Sequence, residues 1–147
     1  MRDVWKSAIA ACLILMISTG ATADEMAKAW KAFDGGDYRT ARQIWEIRAS
    51  EGDTEAMVAL AAMAETGTGQ PVDLNRAREL YVTAAENGNP DAMQNLAVML
   101  ECGRGVPIDV QAALALYNRA RLAGKAWSSR QVARITNEIA GVSSPCR

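Results

Sequence analysis

The sequence predicts an all-α protein, an α/α superhelical solenoid built from antiparallel helix pairs. Three observations support this fold class: a repeat of 36 residues, apolar residues at helical spacing within each copy, and glycines where each helix should end. A fixed period of this length is typical of solenoids, because each unit can bury its apolar side only against a neighbouring unit.

The repeat is clearest in Asp53–Gly88 and Asn89–Gly124, which share residues at a constant offset. The matched pairs include Ala56 with Ala92, Met57 with Met93, Leu60 with Leu96, Met63 with Met99, Glu65 with Glu101, Gly67 with Gly103, Asp73 with Asp109, Tyr81 with Tyr117, and Gly88 with Gly124.

The first half of each copy predicts a helix with an apolar side. Ala56, Leu60 and Met63 recur at helical spacing, and this leaves Glu55 and Glu65 for solvent. The methionines at these positions predict core packing, although methionine is also used on adaptable binding surfaces. They are Met57, Met63, Met93 and Met99.

The second half of each copy predicts a loop and a second helix. Gly67 and Gly69 should end the first helix, because glycine adopts the left-handed conformation at little cost. Pro71 keeps the chain extended, and Asp73 is a favourable N-cap for the helix that Gly88 ends.

This pattern resembles the Sel-one-like repeat (SLR) family, a relative of the tetratricopeptide repeats. The residues that carry the resemblance are Ala92, Leu96, Ala97, Gly103, Gly105, Val106, Asp109, Ala113, Tyr117, Ala120 and Gly124. The departures are Ala61 and Ala97, where the family often has glycine, and Gln70 in place of valine. The resemblance implies an α/α superhelix that acts as a protein-binding scaffold, and it implies no reaction.

The N-terminus predicts a secretory signal peptide over Met1–Ala23. Arg2 and Lys6 supply its positive charge, Ala8–Ile17 is an apolar segment too short to span a membrane, and Ala21–Ala23 is a small-residue cleavage site. An uncleaved membrane anchor is the alternative.

The sequence therefore predicts a repeat domain over residues 24–147, with units at 24–52, 53–88 and 89–124 and a capping helix at 125–140. Cleavage would leave 14 basic and 16 acidic residues, a net charge of −2. With no basic block, this balance argues against nucleic acid and anionic lipid as partners.

The flanking units depart from the repeat, as terminal repeats commonly do. In the first unit we expect helices at Glu25–Asp34 and Tyr38–Glu51, with a tetratricopeptide-like turn between them. In the last, Lys125–Ala140 predicts a single capping helix, and the tail after Gly141 is not expected to be helical.

The composition argues against most enzyme classes. The chain has no histidine, so a Ser–His or Cys–His nucleophile pair is impossible and a common zinc ligand is missing. The glycine loops lack the Lys-Ser/Thr of a phosphate-binding loop. We expect no catalytic residue, cofactor or metal. The alternative enzyme is one that acts on envelope glycans through paired carboxylates.

The cysteines predict a disulfide between Cys102 and Cys146. The capping helix should lie beside the helix that Cys102 ends, and the residues after Gly141 can span up to ~20 Å. Closing a loop of about 44 residues would stabilise the fold by ~4 kcal/mol in the chain-entropy model. Lipidation at Cys12 is disfavoured, because the apolar segment continues beyond it.

The resemblance places the first helix of each pair along a concave groove, which we expect to bind a partner. The predicted groove residues are Glu55, Val58, Ala62, Glu65, Asp91, Gln94, Val98, Glu101, Trp127, Arg130 and Arg134, with Trp30 as a second aromatic. This surface suits a partner segment with basic and small residues in its centre. The alternatives are that the charges only maintain solubility, and that Trp30 and Trp127 cover the ends of the solenoid.

Together these features predict a monomeric, non-enzymatic scaffold or adaptor in the bacterial periplasm, or one that is exported. Its partner should be a protein or peptide. A structural subunit of a larger envelope complex is a further alternative.

Overall fold

The computed structural model describes residues 23–139. Within this range the chain forms seven α-helices and no strand, which confirms the all-α prediction. The helices are α1 (residues 23–34), α2 (Tyr38–Ser50), α3 (Thr54–Thr66), α4 (Leu74–Glu86), α5 (Pro90–Cys102), α6 (Val110–Leu122) and α7 (Ala126–Ile139). All but the last residue of the predicted signal peptide, and the whole predicted tail, lie outside the described residues.

The chain divides into two compact units, one up to Ile47 and one from Arg48 onward, so the division falls within α2. In the second unit each helix packs on the next, from α3 through α7. The sequence repeat therefore corresponds to two helix pairs, α3–α4 and α5–α6, followed by the single helix α7.

Aspartate and asparagine side chains set the starts of the four helices α3 to α6. Asp73 and Asp109 cap α4 and α6, and each accepts a hydrogen bond at 2.9 Å from the amide three residues later. Asp53 and Asn89 cap α3 and α5, and each accepts from two amides. The N-cap predicted at Asp73 is confirmed, and such a cap contributes ~1 kcal/mol.

Glycines end the first helix of each pair, as the sequence predicts. Gly67 and Gly103 adopt the left-handed conformation, with φ of 72° and 66°. Gly105 also lies too close to its neighbour for any side chain, because a Cβ there would lie 2.6 Å from Cβ of Leu74. The loop of one repeat thus packs directly on the start of the second helix of the preceding repeat.

The core of the second unit is formed by the apolar positions that recur in both repeats. The four methionines predicted to pack there are buried, which confirms that interpretation. The capping helix joins this core through Ile135, which is 1% exposed, and through half-buried Val132. It spans Ala126–Ile139, against Lys125–Ala140 predicted, and Ala140 is outside the described residues.

The first unit has an aromatic core. Trp45 is fully buried, with its ring centroid 4.9 Å from that of Trp30 and 5.6 Å from that of Phe33. The Trp45 Nε1 donor has no hydrogen-bond partner within the described part of the chain. The helix–turn–helix predicted around Gly36 is confirmed.

Candidate partner-binding face

Polar contacts link the first helices of successive repeats, α3, α5 and α7, side by side. Asn89 Nδ2 donates to Thr54 Oγ1 at 3.1 Å, and Lys125 Nζ lies 2.6 Å from the Asp91 carboxylate. We define the first-helix face as the side of these three helices that carries the predicted binding residues. They are Glu55, Val58, Ala62, Glu65, Asp91, Gln94, Val98, Glu101, Trp127, Arg130 and Arg134.

One end of α3 carries a polar cluster around Glu65. Tyr81 of α4 donates its hydroxyl to Glu65 Oε2 at 3.0 Å, and Arg104 Nη1 lies 2.7 Å from Glu65 Oε1. Burial, followed by the charge of Glu65, raises the pKa of the Tyr81 hydroxyl well above its ordinary value. The tyrosine therefore remains a hydrogen-bond donor throughout the physiological pH range.

The equivalent end of α5 repeats this arrangement with tighter burial. Tyr117 donates to Glu101 Oε2 at 2.9 Å, and Arg134 of α7 pairs with Glu101 Oε1. Burial, followed by the hydrogen bond to Glu101, raises the pKa of the Tyr117 hydroxyl. The Glu101 side chain is only 5% exposed, and these two partners offset the free-energy cost of burying its carboxylate.

These clusters correct the expectation that the glutamates face solvent. The side chain of Glu65 is 12% exposed, and Glu101 is buried. Both carboxylates connect neighbouring helices, because an ionised group at such a position needs hydrogen bonds and an opposite charge. Whether either also contacts a partner remains a prediction.

The exposed charges of the first-helix face are fewer than the sequence suggests. Glu55 and Asp91 are both exposed, and Asp91 forms an ion pair with Lys125 at the surface. Gln94 is half-buried and accepts a hydrogen bond from Ser128 Oγ at 3.4 Å. The middle of the face is therefore occupied by polar groups that already have partners.

Small apolar side chains lie between these polar groups. Val58 and Ala62 on α3 and Val98 on α5 are each half-buried, so part of their apolar surface stays accessible. Both valines pack against the core with their inner sides. The face thus combines partly accessible small apolar side chains with charged residues.

The α7 end of the face carries an aromatic and a cation. Trp127 is 37% exposed and packs edge-on against Tyr117, with a centroid distance of 5.8 Å. Arg130, one turn further along α7, is exposed. Arg134 is 29% exposed and also donates to Gln131 Oε1 at 2.7 Å, so it belongs to the Glu101 cluster.

Trp30 lies in the first unit and not in the repeat unit that carries the face. It is 46% exposed and packs against Trp45 and Phe33. It therefore contributes to the aromatic core of its own unit, and its role in binding stays a prediction.

Two cations that form ion pairs with residues of the face, Arg104 and Lys125, were not predicted from the sequence. Their ion pairs with Glu65 and Asp91 join residues 39 and 34 apart, neither of which equals the repeat length. The tyrosine–glutamate bonds both join residues 16 apart, so the repeated Glu and Tyr positions were a signal that could have found them.

Three further findings bear on the predicted sites. No group of three or more Cys, Asp or Glu side chains suited to a metal ion occurs in the described range. None of the helices described there has the length and apolar character needed to cross a bilayer. Cys102 ends α5, while its predicted disulfide partner Cys146 lies outside the described residues.

The helix pairs, their glycine-ended first helices and their polar links define a class of α/α repeat protein. A family model for the Sel1 repeat matches residues 54–89 and 90–125. The chain belongs to the Sel1-like repeat family through these two repeats. Their limits lie one residue from those that the sequence predicts.

Two solved structures show the same fold. One is a Sel1 repeat protein from Oxalobacter formigenes, with a TM-score of 0.75 and 24% identity, over 86% of this chain and 52% of that one. The other is a protective antigen of uropathogenic Escherichia coli strains that displays an SLR fold, with a TM-score of 0.73 and 23% identity, over 88% of this chain and 29% of that one. The chain thus spans about half of the first structure and under a third of the second.

These likenesses confirm the predicted all-α solenoid. Proteins of this fold are generally protein–protein interaction scaffolds. No curated protein matches the chain.

Proposed function

We propose that the protein is a non-enzymatic adaptor of the bacterial envelope that binds a segment of a partner protein across the first-helix face. The observation that carries this proposal is the partly exposed Trp127 on a face that also carries partly accessible apolar side chains, in a family of interaction scaffolds. Exposed aromatics next to apolar pockets supply much of the affinity at protein interfaces.

The polar clusters favour binding over the alternative, a glycan-acting enzyme. Such an enzyme needs two free carboxylates on opposite sides of a bond. Glu65 and Glu101, the two half-buried or buried glutamates of the face, each already accept from a tyrosine and contact an arginine. A structural subunit of an envelope complex would use the same face for a permanent partner.

The envelope location rests on the predicted signal peptide. Its charge pattern, its apolar segment and the cleavage site before Asp24 support export. N-terminal sequencing of exported protein tests this, and a start far from Asp24 or retention in the inner membrane contradicts it.

The proposal includes a disulfide between Cys102 and Cys146. It is supported by the position of Cys102 at the end of α5, beside the capping helix. Unreduced protein should show no free thiol after signal cleavage, whereas two free thiols would reject the pairing.

The binding test combines partner capture with substitutions on the face. Affinity capture from periplasmic extract with crosslinking identifies the partner, and Trp127→Ala and Val98→Arg should each weaken capture at least tenfold. Glu79→Lys on α4 is the control, because Glu79 is exposed and lies on a second helix. Far-UV circular dichroism confirms that each variant folds.

Substitutions of Glu101 and Arg134 are unsuitable for this test, because they disrupt the buried α5–α7 cluster. If Trp127→Ala and Val98→Arg bind normally while Glu79→Lys does not, the partner binds the second-helix side. That outcome would contradict the proposed face.

A further inference from the structure

The turn between α6 and α7 differs in chemistry from the equivalent turns earlier in the chain. The side chains exposed at this turn and at the start of α7 are Leu122, Ala123 and Trp127. The residues 36 positions earlier are Glu86, Asn87 and Asp91. Those at the same offset before them are Ser50, Glu51 and Glu55. The turns that precede α3 and α5 are therefore acidic and polar, whereas the turn that precedes α7 is apolar.

This turn holds Leu122 at a projecting tip. Leu122 is 77% exposed, which makes it the most exposed large apolar side chain among the described residues. The Gly124 amide donates to Arg121 O at 3.0 Å, and the Lys125 amide donates to Ala120 O at 3.1 Å, so the turn is tight. A Cβ added at Gly124 would have no heavy atom within 4 Å, which shows that the turn opens to solvent.

Positive charge accumulates beside this tip. The range from Val110 to Asn137 contains no acidic residue, and its basic residues are Arg119, Arg121, Lys125, Arg130 and Arg134. Asp91 and Glu101 offset the charges of Lys125 and Arg134. The other three cations are exposed, and none of them meets a carboxylate within residues 23–139.

The two arginines in the last turn of α6 contact only neutral oxygens. Arg119 Nη2 donates to the backbone oxygen of Ala85 at 3.3 Å, and Arg121 Nη2 donates to Asn118 Oδ1 at 3.5 Å. These contacts hold the side chains near the end of α6 without cancelling their charge. An uncompensated positive charge therefore adjoins the exposed Leu122.

This combination suits an anionic bilayer better than a protein surface. An apolar side chain on a projecting tip needs a matching cavity in a protein partner, whereas the boundary between headgroups and acyl chains accepts it without one. Tryptophan is enriched at that boundary, and Trp127 lies in the first turn of α7 with 37% exposure. Each basic residue near an anionic surface adds to the affinity.

We propose that the α6–α7 turn is a membrane-docking tip, in which Leu122 inserts into an anionic lipid surface while Arg119 and Arg121 contact lipid phosphates. The inference goes beyond the proposed function and shares with it only the envelope location, which brings the protein close to a lipid surface. It differs from the sequence-based expectation, which argued against anionic lipid from the charge balance of the whole chain. The charge that matters here is local, because screening limits its effect to about one Debye length.

Co-sedimentation of the exported, processed protein with unilamellar vesicles tests this proposal. Vesicles of phosphatidylcholine and phosphatidylglycerol should bind the protein, and binding should weaken as the salt concentration rises. Vesicles of phosphatidylcholine alone should bind it much less. Leu122→Ser should lower the partition coefficient about tenfold through lost apolar burial, and Arg121→Gln should lower it about fivefold through one lost headgroup contact.

Two variants provide matched controls. Arg39→Gln removes one positive charge from an exposed position on α2, so its net charge equals that of Arg121→Gln. Val72→Ser removes an apolar side chain that is 59% exposed in a different loop, so it matches Leu122→Ser. Both controls should partition like the parent protein, and far-UV circular dichroism checks that all four variants fold.

The outcomes decide between lipid and other occupants of this turn. Weaker binding by Leu122→Ser and Arg121→Gln, with both controls unchanged, supports the docking tip. Absence of binding to the phosphatidylglycerol vesicles, or equal binding by Leu122→Ser, overturns it. Retention on immobilised poly-glutamate through Arg121 without vesicle binding also overturns it and assigns the turn to an acidic polypeptide. Trp127 and Val98 stay unchanged throughout, so failure here is distinguishable from failure of the first-helix face.

Discussion

The buried carboxylate of Glu101 makes Arg134 the most informative position to change. Arg134→Met keeps most of the apolar stem and removes the charge that partners Glu101. The Glu101 side chain is 5% exposed, while that of Arg134 is 29% exposed. The loss should therefore exceed that of a surface ion pair, which contributes up to about 1 kcal/mol.

The expected loss of stability in Arg134→Met depends on the contacts that Glu101 keeps after the substitution. Removing one partner of a fully buried ion pair costs about 3–5 kcal/mol. Here Tyr117 still donates to Glu101, and solvent reaches the vacated guanidinium site, so we expect a loss of about 2 kcal/mol in the free energy of unfolding. For a chain of this size that corresponds to a melting temperature about 8 °C lower.

The other repeat supplies the matched control. Arg104→Met removes the same charge from Glu65, but Arg104 is 45% exposed and Glu65 is 12% exposed. This variant should lose about 0.5–1 kcal/mol. Urea denaturation followed by far-UV circular dichroism measures both variants, and the slope of the transition reports whether the unfolded state has changed.

A double-mutant cycle then isolates the ion pair from the contact between Arg134 and Gln131. Glu101→Gln combined with Arg134→Met should show a coupling energy of about 1–2 kcal/mol. Equal losses for Arg134→Met and Arg104→Met, or a coupling near zero, would refute the claim that burial makes the Glu101–Arg134 ion pair contribute more to stability than the Glu65–Arg104 pair.

Two further predictions concern the tyrosines and one glycine. Folding raises the pKa values of Tyr81 and Tyr117. Their contribution to stability is therefore complete below the unfolded pKa of about 10 and falls as the pH rises toward the folded pKa values. The free energy of unfolding should decrease above pH ~10, and it should decrease less in a Tyr81→Phe/Tyr117→Phe variant. Alkaline titration of the urea midpoint measures this, and an equal drop in both proteins would contradict it. Gly105→Ala should lower the free energy of unfolding by about 2–3 kcal/mol, because the φ of 69° is strained for alanine and the new Cβ would contact Leu74. Gly88→Ala should lower it by only about 1 kcal/mol, because Gly88 has a similar φ of 87° but no atom within 4 Å of the new Cβ. Similar midpoints for the two alanine variants would show that the contact with Leu74 is easily relieved.

The sequence alone determined the helices of this protein, because the chemistry that starts and ends them is local. Asp73 caps α4 through an amide three residues away, and Gly67 ends α3 through its own backbone conformation. Such features recur with the repeat and can be recognised without knowing what packs against them. The buried core residues could be predicted from the sequence for the same reason, since the spacing of apolar residues decides which side of a helix is buried.

Only the tertiary structure decided which charges of the candidate face are free. Glu101 meets Arg134 from α7, whereas Glu65 meets Arg104 from a loop, so equivalent glutamates find their arginines at different separations along the chain. Ion pairing between helices depends on how the helices pack and on which long side chain reaches the carboxylate, and neither follows from a period. The sequence therefore proposed the residues of the face, while packing decided which of its carboxylates, among the residues that the structure describes, meet a cation.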